Sequence, residues 1–306
     1  MSQAETAGSG NIPTIHVSGA NLPEAWEKAL LALWEKGVRV RTEYDRKDAS
    51  GNFTTPPSLD STMVIEVEDP FAEPRIHKNF PGGPEELEIY RQEVVEGIHD
   101  HWVSPEDPDK WTYTYHGRLF RYAPTENLED RCAARLSETD QMEAIVRKAV
   151  ERPYSRRMQA VTWMPTADPK TEDPPCLQRL WYRLLPDREG TLVLNLNSHW
   201  RSRDAYKAWF MNAYALTDLQ KRMGEEISKR MKRPIRVGRY VDISDSFHIY
   251  GRYFAEVEPE IKKMKADLDY TKRAWRSDHP AFLAMTEEVR ERLRQDVDFM
   301  KKTRQR

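Results

Sequence analysis

Residues 173–185 read DPPCLQRLWYRLL and place a cysteine, Cys176, between a Pro-Pro pair and a stretch rich in strand-forming residues. Because proline cannot continue a hydrogen-bonded ladder, we expect the strand to begin beside the cysteine. A cysteine is more often a small buried apolar residue than a nucleophile. A nucleophilic thiol needs nearby cations and partial exposure, so the rest of the chain must supply both.

The segments around this stretch predict further strands and helices. The turn PDREG (186–190) indicates a hairpin between the strand after Cys176 and the next one. The other predicted strands are STMVIEVEDP (61–70), RRMQAVTWMP (156–165), GTLVLNLNSHW (190–200) and RPIRVGRYVDISDSFHIYGRY (233–253), and WTYTYHGRLFRY (111–122) is aromatic and β-prone. The predicted helices are residues 21–37, 83–102, 138–153, 202–231 (one long helix or a broken pair) and the charged region from Phe254 onward.

Strands and helices alternate without the regular pattern of β-α-β units. This mixture predicts an α+β fold, with a single domain built on a mixed, twisted β-sheet flanked by helices. We expect residues 1–11 to form a flexible N-terminal tail and residues 12–306 to form the domain.

Charge and composition exclude several classes of function. The net charge of −2 gives no overall field that would recruit DNA or a membrane surface. The sequence contains no apolar run long enough to cross a bilayer and begins without a secretory signal. Its two cysteines, Cys132 and Cys176, form neither a metal motif nor a disulfide framework. These features predict a cytoplasmic protein without a metal site.

Three polar clusters are candidates for binding a ligand. Arginines at 156, 157, 201 and 203 are the cations that could activate Cys176. Arg201 and Ser202 can donate hydrogen bonds to a phosphate, and Asn212 offers both a donor and an acceptor to an amide-bearing base edge. His248 and Tyr250 alternate along a predicted strand and therefore face the same side. Each signal alone is weak.

Together these segments resemble the thymidylate synthase family. The resemblance is carried by four stretches: YSRRMQAVTW (154–163), DPPCLQ (173–178), RSRDAYKAWFMNAYAL (201–216) and VGRYVDISDSFHIYG (237–251). It covers roughly residues 150–252, and the spacing from the double arginine to the cysteine fits the family. The opening IHVSGANLPEAWEKAL (15–30) and the wording PPCLQ are most similar to divergent archaeal-type members.

The resemblance implies a fold, a reaction and partners. The fold would be that of a thymidylate synthase, and the chain would form an obligate homodimer with active sites shared across the interface. The implied reaction is methylation of dUMP at C5 to give dTMP. In it, 5,10-methylenetetrahydrofolate is both one-carbon donor and reductant. Cys176 would be the nucleophile that adds to C6 of the pyrimidine.

The resemblance also implies ligands for the nucleotide. Arg201 and Ser202 would hold the phosphate. Arg156 and Arg157 would reach the same phosphate from the partner subunit. Two arginines of the N-terminal region are alternatives for closing on it: Arg41, which we favour, and Arg46. Contacts to the rest of the nucleotide are implied for four residues: Asn212 at N3 and O4 of the base, Asp204 in ordering the site, and His248 and Tyr250 at the 3′-hydroxyl.

Two catalytic positions keep alternatives open. Glu93 is the preferred carboxylate for proton transfer at the base carbonyl, and its neighbour Glu96 is the rival. His116 stands where the family carries a tyrosine near the C5 proton, and Tyr115 could fill the same role.

Several departures from the family pattern support a second reading. Leu177 replaces the histidine that most members carry after the cysteine, and the Gly-x-Pro-Phe-Asn wording before Asn212 is missing. The sequence ends in DFMKKTRQR, where the family has an apolar tail that excludes water. If water captured the transferred methylene, the product would be hydroxymethylated, so the alternative is a hydroxymethylase of dUMP, dCMP or CMP. Asn212 favours uracil, because cytosine-specific relatives tend to carry Asp there.

Two classes without catalysis are weaker hypotheses. A nucleotide- or RNA-binding protein on the same scaffold would use the arginines but would not need the thiol. A structural subunit would have no affinity for nucleotides at all. Retention of the thiol together with the phosphate and sugar ligands makes an enzyme the more economical reading.

Overall fold

Strands of both directions build the main sheet of this protein. The computed structural model describes residues 10–104, 110–124 and 138–304, so Cys132 and most of the predicted N-terminal tail lie outside the described residues. The strands are β1 (Thr14–Gly19), β2 (Val38–Val40), β3 (Ser58–Val67), β4 (Ile76–His77), β5 (Gln159–Val161), β6 (Leu177–Pro186), β7 (Leu192–Trp200), β8 (Arg203–Asp204), β9 (Ile235–Ile249) and β10 (Ala274–Trp275).

Helices separate the strands at irregular intervals. They are α1 (Leu22–Lys36), α2 (Gly83–Glu96), α3 (Tyr115–Phe120), α4 (Gln141–Glu151), α5 (Trp209–Met231), α6 (Phe254–Ala266) and α7 (Pro280–Arg304). Short 3-10 turns lie at Asp100–Trp102, Asp168–Lys170, Gly251–Tyr253 and Tyr270–Arg273.

The sheet has the strand order β1-β3-β9-β7-β6-β5, with β2 on β3 and β8 on β9. It is mixed, since β1 runs parallel to β3 and β3 runs antiparallel to β9. A second, two-stranded sheet pairs β10 with β4. The predicted α+β fold with a mixed, twisted sheet flanked by helices is confirmed.

Two compact units share the chain, and their segments interleave in sequence. The first unit comprises Met1–Pro81, His199–Phe210 and Tyr240–Arg276, and the second comprises Gly82–Ser198, Met211–Arg239 and Ser277–Arg306.

In the first unit, helix α1 forms as its sequence predicts. Asn21 caps it by accepting a hydrogen bond from the Glu24 N–H at 3.2 Å, and Gly37 ends it. Its apolar stripe is fully buried, with Trp26, Ala29, Leu30 and Leu33 all at 0% exposure. The Trp26 indole N–H donates to the Ala205 carbonyl at 2.8 Å, so burial leaves no unpaired donor there.

In the second unit, the hairpin after Cys176 is confirmed. Strand β6 begins at Leu177, and the Asp187 N–H closes the turn on the Thr191 carbonyl at 2.9 Å. Residues 111–122 differ from the β-prone expectation, because their centre forms helix α3. The Thr114 hydroxyl accepts from the Gly117 N–H at 2.9 Å and starts the helix, which outweighs the strand preference of the aromatic residues. The segment 202–231 contains one helix, α5, which begins at Trp209 after the short strand β8.

A buried ionic cluster in the first unit joins α1 to β4 and to the residues before β10. The Glu27 carboxylate accepts two hydrogen bonds from Arg273, both at 2.7 Å, and a third at 2.9 Å from His77. The Asn79 N–H donates to His77 Nδ1 at 3.2 Å, so Nδ1 carries no proton and Nε2 is the donor to Glu27. Burial lowers the pKa of His77, which keeps the imidazole neutral in the folded protein.

This cluster predicts that the folded protein loses stability as pH falls below about 6.5. Below that pH, His77 binds a proton in the unfolded chain, whereas the buried imidazole of the folded protein does not. This difference lowers the free energy of unfolding by up to about 1.4 kcal/mol per pH unit. The pKa of Glu27 is also lowered: burial alone would raise it, but Arg273 and His77 outweigh burial. The stability that Glu27 contributes is therefore lost only at lower pH, below the ordinary pKa of glutamate.

Urea unfolding between about pH 7.5 and pH 5 tests this expectation. His77→Gln, which keeps a donor toward Glu27 but does not titrate, should show a flatter pH dependence than the wild type. His16→Gln, at an exposed histidine on β1, is the control and should follow the wild type. Equal slopes for His77→Gln and the wild type would show that His77 does not cause the pH dependence.

Candidate active site

In the second unit, Cys176 lies half-buried directly before β6. The hydroxyl of Tyr115 accepts hydrogen bonds from the N–H groups of Cys176 at 3.2 Å and Leu177 at 3.3 Å. The Thr162 hydroxyl donates to the Leu177 carbonyl from the other side. Hydrogen bonds therefore hold both the N–H groups and a carbonyl of the backbone that carries the thiol, which fixes the thiol at the start of the strand.

Glu93 lies on α2 and lines a cavity of about 440 Å³ together with Tyr90, Trp111, Tyr113 and Tyr115. Burial raises the pKa of Glu93, and the neighbouring His99 partly opposes this effect. Oε1 of Glu93 lies 2.7 Å from His99 Nδ1, whereas Oε2 has no hydrogen-bond partner among the described residues. A carboxyl group whose pKa is raised and that has one oxygen available is suited to general acid–base catalysis.

The rival carboxylate, Glu96, has a different environment. It is about half exposed (48%) and accepts a hydrogen bond from Arg222 at 3.0 Å. It is not among the residues that line the cavity. This geometry favours Glu93.

His116 and Tyr115 are neighbours in sequence but face different groups. His116 Nδ1 lies 2.7 Å from the Asp100 carboxylate, and its ring stacks on Phe120 at 4.3 Å. Asp100 accepts a second hydrogen bond from Thr114 at 2.5 Å. Burial would raise the pKa of Asp100, but these two hydrogen bonds lower it. Of the two alternatives, Tyr115 is the one that contacts the Cys176 backbone.

Three further predicted ligands also belong to the second unit. Asn212 lies in the first turns of α5 and is buried, at 5% exposure. Arg156 and Arg157 are exposed on the loop before β5, and neither guanidinium has a partner within the described ranges. The loop itself is held, because the Trp181 indole N–H donates to the Arg156 carbonyl at 3.1 Å.

In the first unit, the predicted sugar ligands come together at the end of β9. The His248 and Tyr250 rings pack edge to face at 4.6 Å. Asp204 lies beside them, because β8 pairs with β9 and places Asp204 opposite His248. Its Oδ1 accepts from the N–H groups of Tyr206 and Lys207, both at 2.9 Å. Burial raises the pKa of Asp204, while those N–H groups and His248 oppose the rise.

Two residues beside His248 were not expected from the sequence. The Ser246 hydroxyl donates to Asp60 at 2.8 Å and lies 3.3 Å from His248 Nδ1. Burial raises the pKa of Asp60. The register of β3 on β9 places Asp60 opposite His248, although 188 positions separate them in sequence. The signal available in the sequence was the presence of two polar residues, Asp60 and Ser61, near the start of β3.

The predicted phosphate ligands of the first unit lie in two loops. Arg201 and Ser202 form the turn between β7 and β8 and are partly buried. Arg41 is engaged by its own loop, since it donates to the Thr55 carbonyl at 2.7 Å and lies over the Phe53 ring at 4.0 Å. Arg46, the alternative, is exposed on the same loop.

Two other kinds of site are absent from the described residues. In the part of the chain that the structure describes, no group of histidine, cysteine and carboxylate side chains could hold a metal ion. The helices within the same ranges are all too short or too polar to cross a membrane.

Comparison with known proteins agrees with the resemblance in the sequence. Proteins named "Putative thymidylate synthase" from the archaea Methanosarcina mazei and Methanosarcina acetivorans are 26% and 25% identical over 246 residues, which cover 80% of this chain and 94% of each relative. Another from Methanopyrus kandleri is 32% identical over 150 residues, 47% of this chain and 63% of the relative. The family model described as "Thymidylate synthase" matches residues 85–279, a range that includes Cys176, Glu93 and the residues around His248. Since that match spans well over half of the 306 residues, the chain belongs to the thymidylate synthase family, as a divergent, archaeal-type member.

Proposed function

We propose that this protein methylates dUMP at C5, using 5,10-methylenetetrahydrofolate as the one-carbon donor and reductant. The observation that carries the proposal is Cys176, a half-buried thiol whose backbone is fixed by Tyr115 at the start of β6. A purely structural cysteine needs no such support, whereas a nucleophile that must approach one carbon of a bound ring depends on it. Membership of the family supports a one-carbon transferase.

The covalent step begins with Cys176. Its thiolate forms a bond to C6 of the uracil ring, and the electron pair of the C5–C6 double bond moves toward C5 and the O4 carbonyl. Glu93 stabilises the developing charge at O4 by giving up or sharing a proton through its available oxygen. After C5 has acquired its new substituent, its proton leaves toward a nearby base. The folate nitrogen then leaves the new substituent, and hydride from the folate reduces the resulting exocyclic methylene to a methyl group. The thiolate is expelled as the C5–C6 double bond forms again.

The folate supplies the one-carbon unit and the hydride. The cavity beside Glu93 fits a flat ring system, because Tyr90, Trp111 and Tyr113 line it. Burial raises the pKa of Tyr113, which therefore stays a neutral hydroxyl in this cavity. These residues would hold and orient the folate while water is kept from the reacting carbon.

Nucleotide recognition would use the polar residues that the family resemblance implies. Arg201 and Ser202 would hold the phosphate, and His248 with Tyr250 would bind the 3′-hydroxyl, supported by Asp204. Asn212 would read the base edge. We also propose a homodimer in which Arg156 and Arg157 reach the phosphate of the partner subunit. The support is that both guanidinium groups project without a partner among the described residues, although arginine strongly favours paired oxyanions.

Hydroxymethylation of dUMP, dCMP or CMP is the second candidate. The observation that favours it is the rim of the cavity, where Lys110, Glu172 and Asp173 are exposed and charged. Charged groups retain water, and water that reached the transferred methylene would add to it before hydride could. Cys176 and Glu93 would act in the same way in this reaction, so only the last step differs.

Mass spectrometry of the product distinguishes the two reactions. The purified protein is incubated with methylenetetrahydrofolate and, separately, with dUMP, dCMP and CMP. Methylated dUMP with dihydrofolate as second product would support the synthase, and a hydroxymethylated nucleotide would support the alternative and identify its base. If none of the three nucleotides changed mass while binding was detected by calorimetry, a binding role would replace both.

A further inference from the structure

The chain turns back toward Glu93 after the end of α2. Helix α2 ends at Glu96, and Gly97 adopts the left-handed conformation (φ 66°) that reverses the chain direction. A Cβ on residue 97 would lie 2.3 Å from the His116 ring, so the turn accepts only glycine. Two residues later, His99 Nδ1 lies 2.7 Å from Oε1 of Glu93. The turn therefore places an imidazole against the proposed proton-transfer carboxylate.

Aromatic side chains fix the plane of this imidazole. The His99 ring stacks on Trp102 with centroids 3.6 Å apart and planes 12° apart. Trp111 approaches the same ring edge-on at 5.9 Å. His99 itself is buried, at 8% exposure, whereas both tryptophans are partly exposed. A ring packed in this way keeps one orientation, and so does the carboxylate oxygen that it contacts.

We propose that His99 is a positioning residue for Glu93, which holds one carboxylate oxygen so that the other faces the substrate, and that the two side chains exchange protons as a pair. The proposal rests on the proposed function, because it gives Glu93 the acid–base role. It adds a partner that neither the motifs nor the family match identifies.

The electrostatics of the cavity agree with this pairing. Burial raises the pKa of Glu93, and the hydrogen bond and charge of His99 act in the opposite direction. The net result is a pKa of Glu93 above that of a free glutamate. The other titratable groups around the cavity are Tyr90, Lys110, Tyr113, Tyr115, Glu172 and Asp173, and the His101 ring lies 6.4 Å from His99. No hydrogen bond joins any of these to Glu93 within the described residues.

Two substitutions separate the hydrogen bond from the ring stack. His99→Phe keeps a ring on Trp102 but removes the donor to Glu93. His99→Asn keeps a donor near the position of Nδ1 but cannot titrate. His101→Phe is the matched control, because it alters the neighbouring ring without touching Glu93. Infrared spectroscopy of the carboxyl C=O stretch follows Glu93 directly, with Glu93→Gln identifying its band.

The infrared titration tests the pairing without substrate. In His99→Phe, the midpoint for Glu93 should move to higher pH, because burial is no longer opposed. His101→Phe should titrate like the wild type. A midpoint that stays unchanged in both His99→Phe and His99→Asn would overturn the proposal, whether or not the protein methylates dUMP. If His99→Phe failed to fold, an unchanged Glu93 midpoint in His99→Asn would by itself overturn the proposal.

Kinetics then test the positioning role. In His99→Phe, kcat should fall on the order of 100-fold while KM for the nucleotide changes by less than about threefold. The acid limb of the kcat profile should move in the same direction as the infrared midpoint. His99→Asn should recover part of kcat because it restores the donor. Equal losses in kcat and in nucleotide binding would instead assign His99 a general structural role.

Discussion

Replacing Cys176 by serine should lower the turnover of dUMP by about 1,000-fold or more while leaving nucleotide affinity within about threefold. A serine hydroxyl matches the thiol in size but is a much weaker nucleophile, because almost none of it ionises near neutral pH. The nucleotide would still be bound through its phosphate, sugar and base edge, none of which contacts the thiol. Product formation measured under saturating folate, with calorimetric titration of dUMP, separates the two effects.

The other cysteine of the chain provides a matched control. Cys132→Ser makes the same chemical change outside the segments that resemble the family and should leave turnover unchanged. The half-buried position of Cys176 means that its variant should unfold at nearly the wild-type temperature. Full turnover by Cys176→Ser would contradict covalent catalysis by Cys176 and would favour a binding role for the protein.

The parts of the fold that could be predicted are those with strong local signals. Helix α1 has a capping asparagine, an early proline, an apolar stripe and a terminal glycine within one short segment, and the structure follows each of them. The strand after Cys176 has a proline on one side and a turn sequence on the other. Such signals act over a few residues, so a single sequence contains them completely.

Other features depend on contacts between distant residues and could not be predicted. The aromatic stretch 111–122 favours a strand locally, yet the Thr114 cap and burial of Leu119 place a helix in its centre. Strand β1 was not anticipated, because its stability comes from parallel pairing with β3 over the whole length of β1. Among site residues, the support of His248 by Asp60 requires the β3–β9 register, which no periodicity in either strand reveals.

The distinction between Glu93 and Glu96 also depends on contacts that the sequence alone does not reveal. Both are glutamates near the end of one helix, and their spacing alone gives neither priority. The turn at Gly97 brings His99 to Glu93, and Arg222 approaches Glu96 from another helix. The choice therefore depends on the direction of the chain after the helix and on a residue 126 positions away.

The largest expected effect on stability comes from Asp242, a fully buried carboxylate in β9 of the first unit. It accepts hydrogen bonds from Arg203, from the Tyr240 hydroxyl at 2.9 Å and from the Ser244 hydroxyl at 2.6 Å. Arg203 is also buried, at 2% exposure, with its guanidinium 3.3 Å from the Trp200 ring centroid. Asp242→Ala removes the carboxylate and leaves the buried cation in place, which should lower the free energy of unfolding by about 3–5 kcal/mol.

Urea unfolding of Asp242→Ala and two further variants, each compared with the wild type, tests this reasoning. Asp245→Ala is the matched control, because Asp245 lies on the same strand but is exposed (58%) and pairs with a partly exposed His199, so its loss should cost less than about 1 kcal/mol. The double variant Arg203→Met, Asp242→Leu removes both charges and should recover most of the stability, since a buried pair gains little over apolar side chains of similar volume. A double variant as unstable as Asp242→Ala would show that the hydrogen bonds of the cluster, rather than the loss of the carboxylate beside the buried Arg203 cation, set the cost.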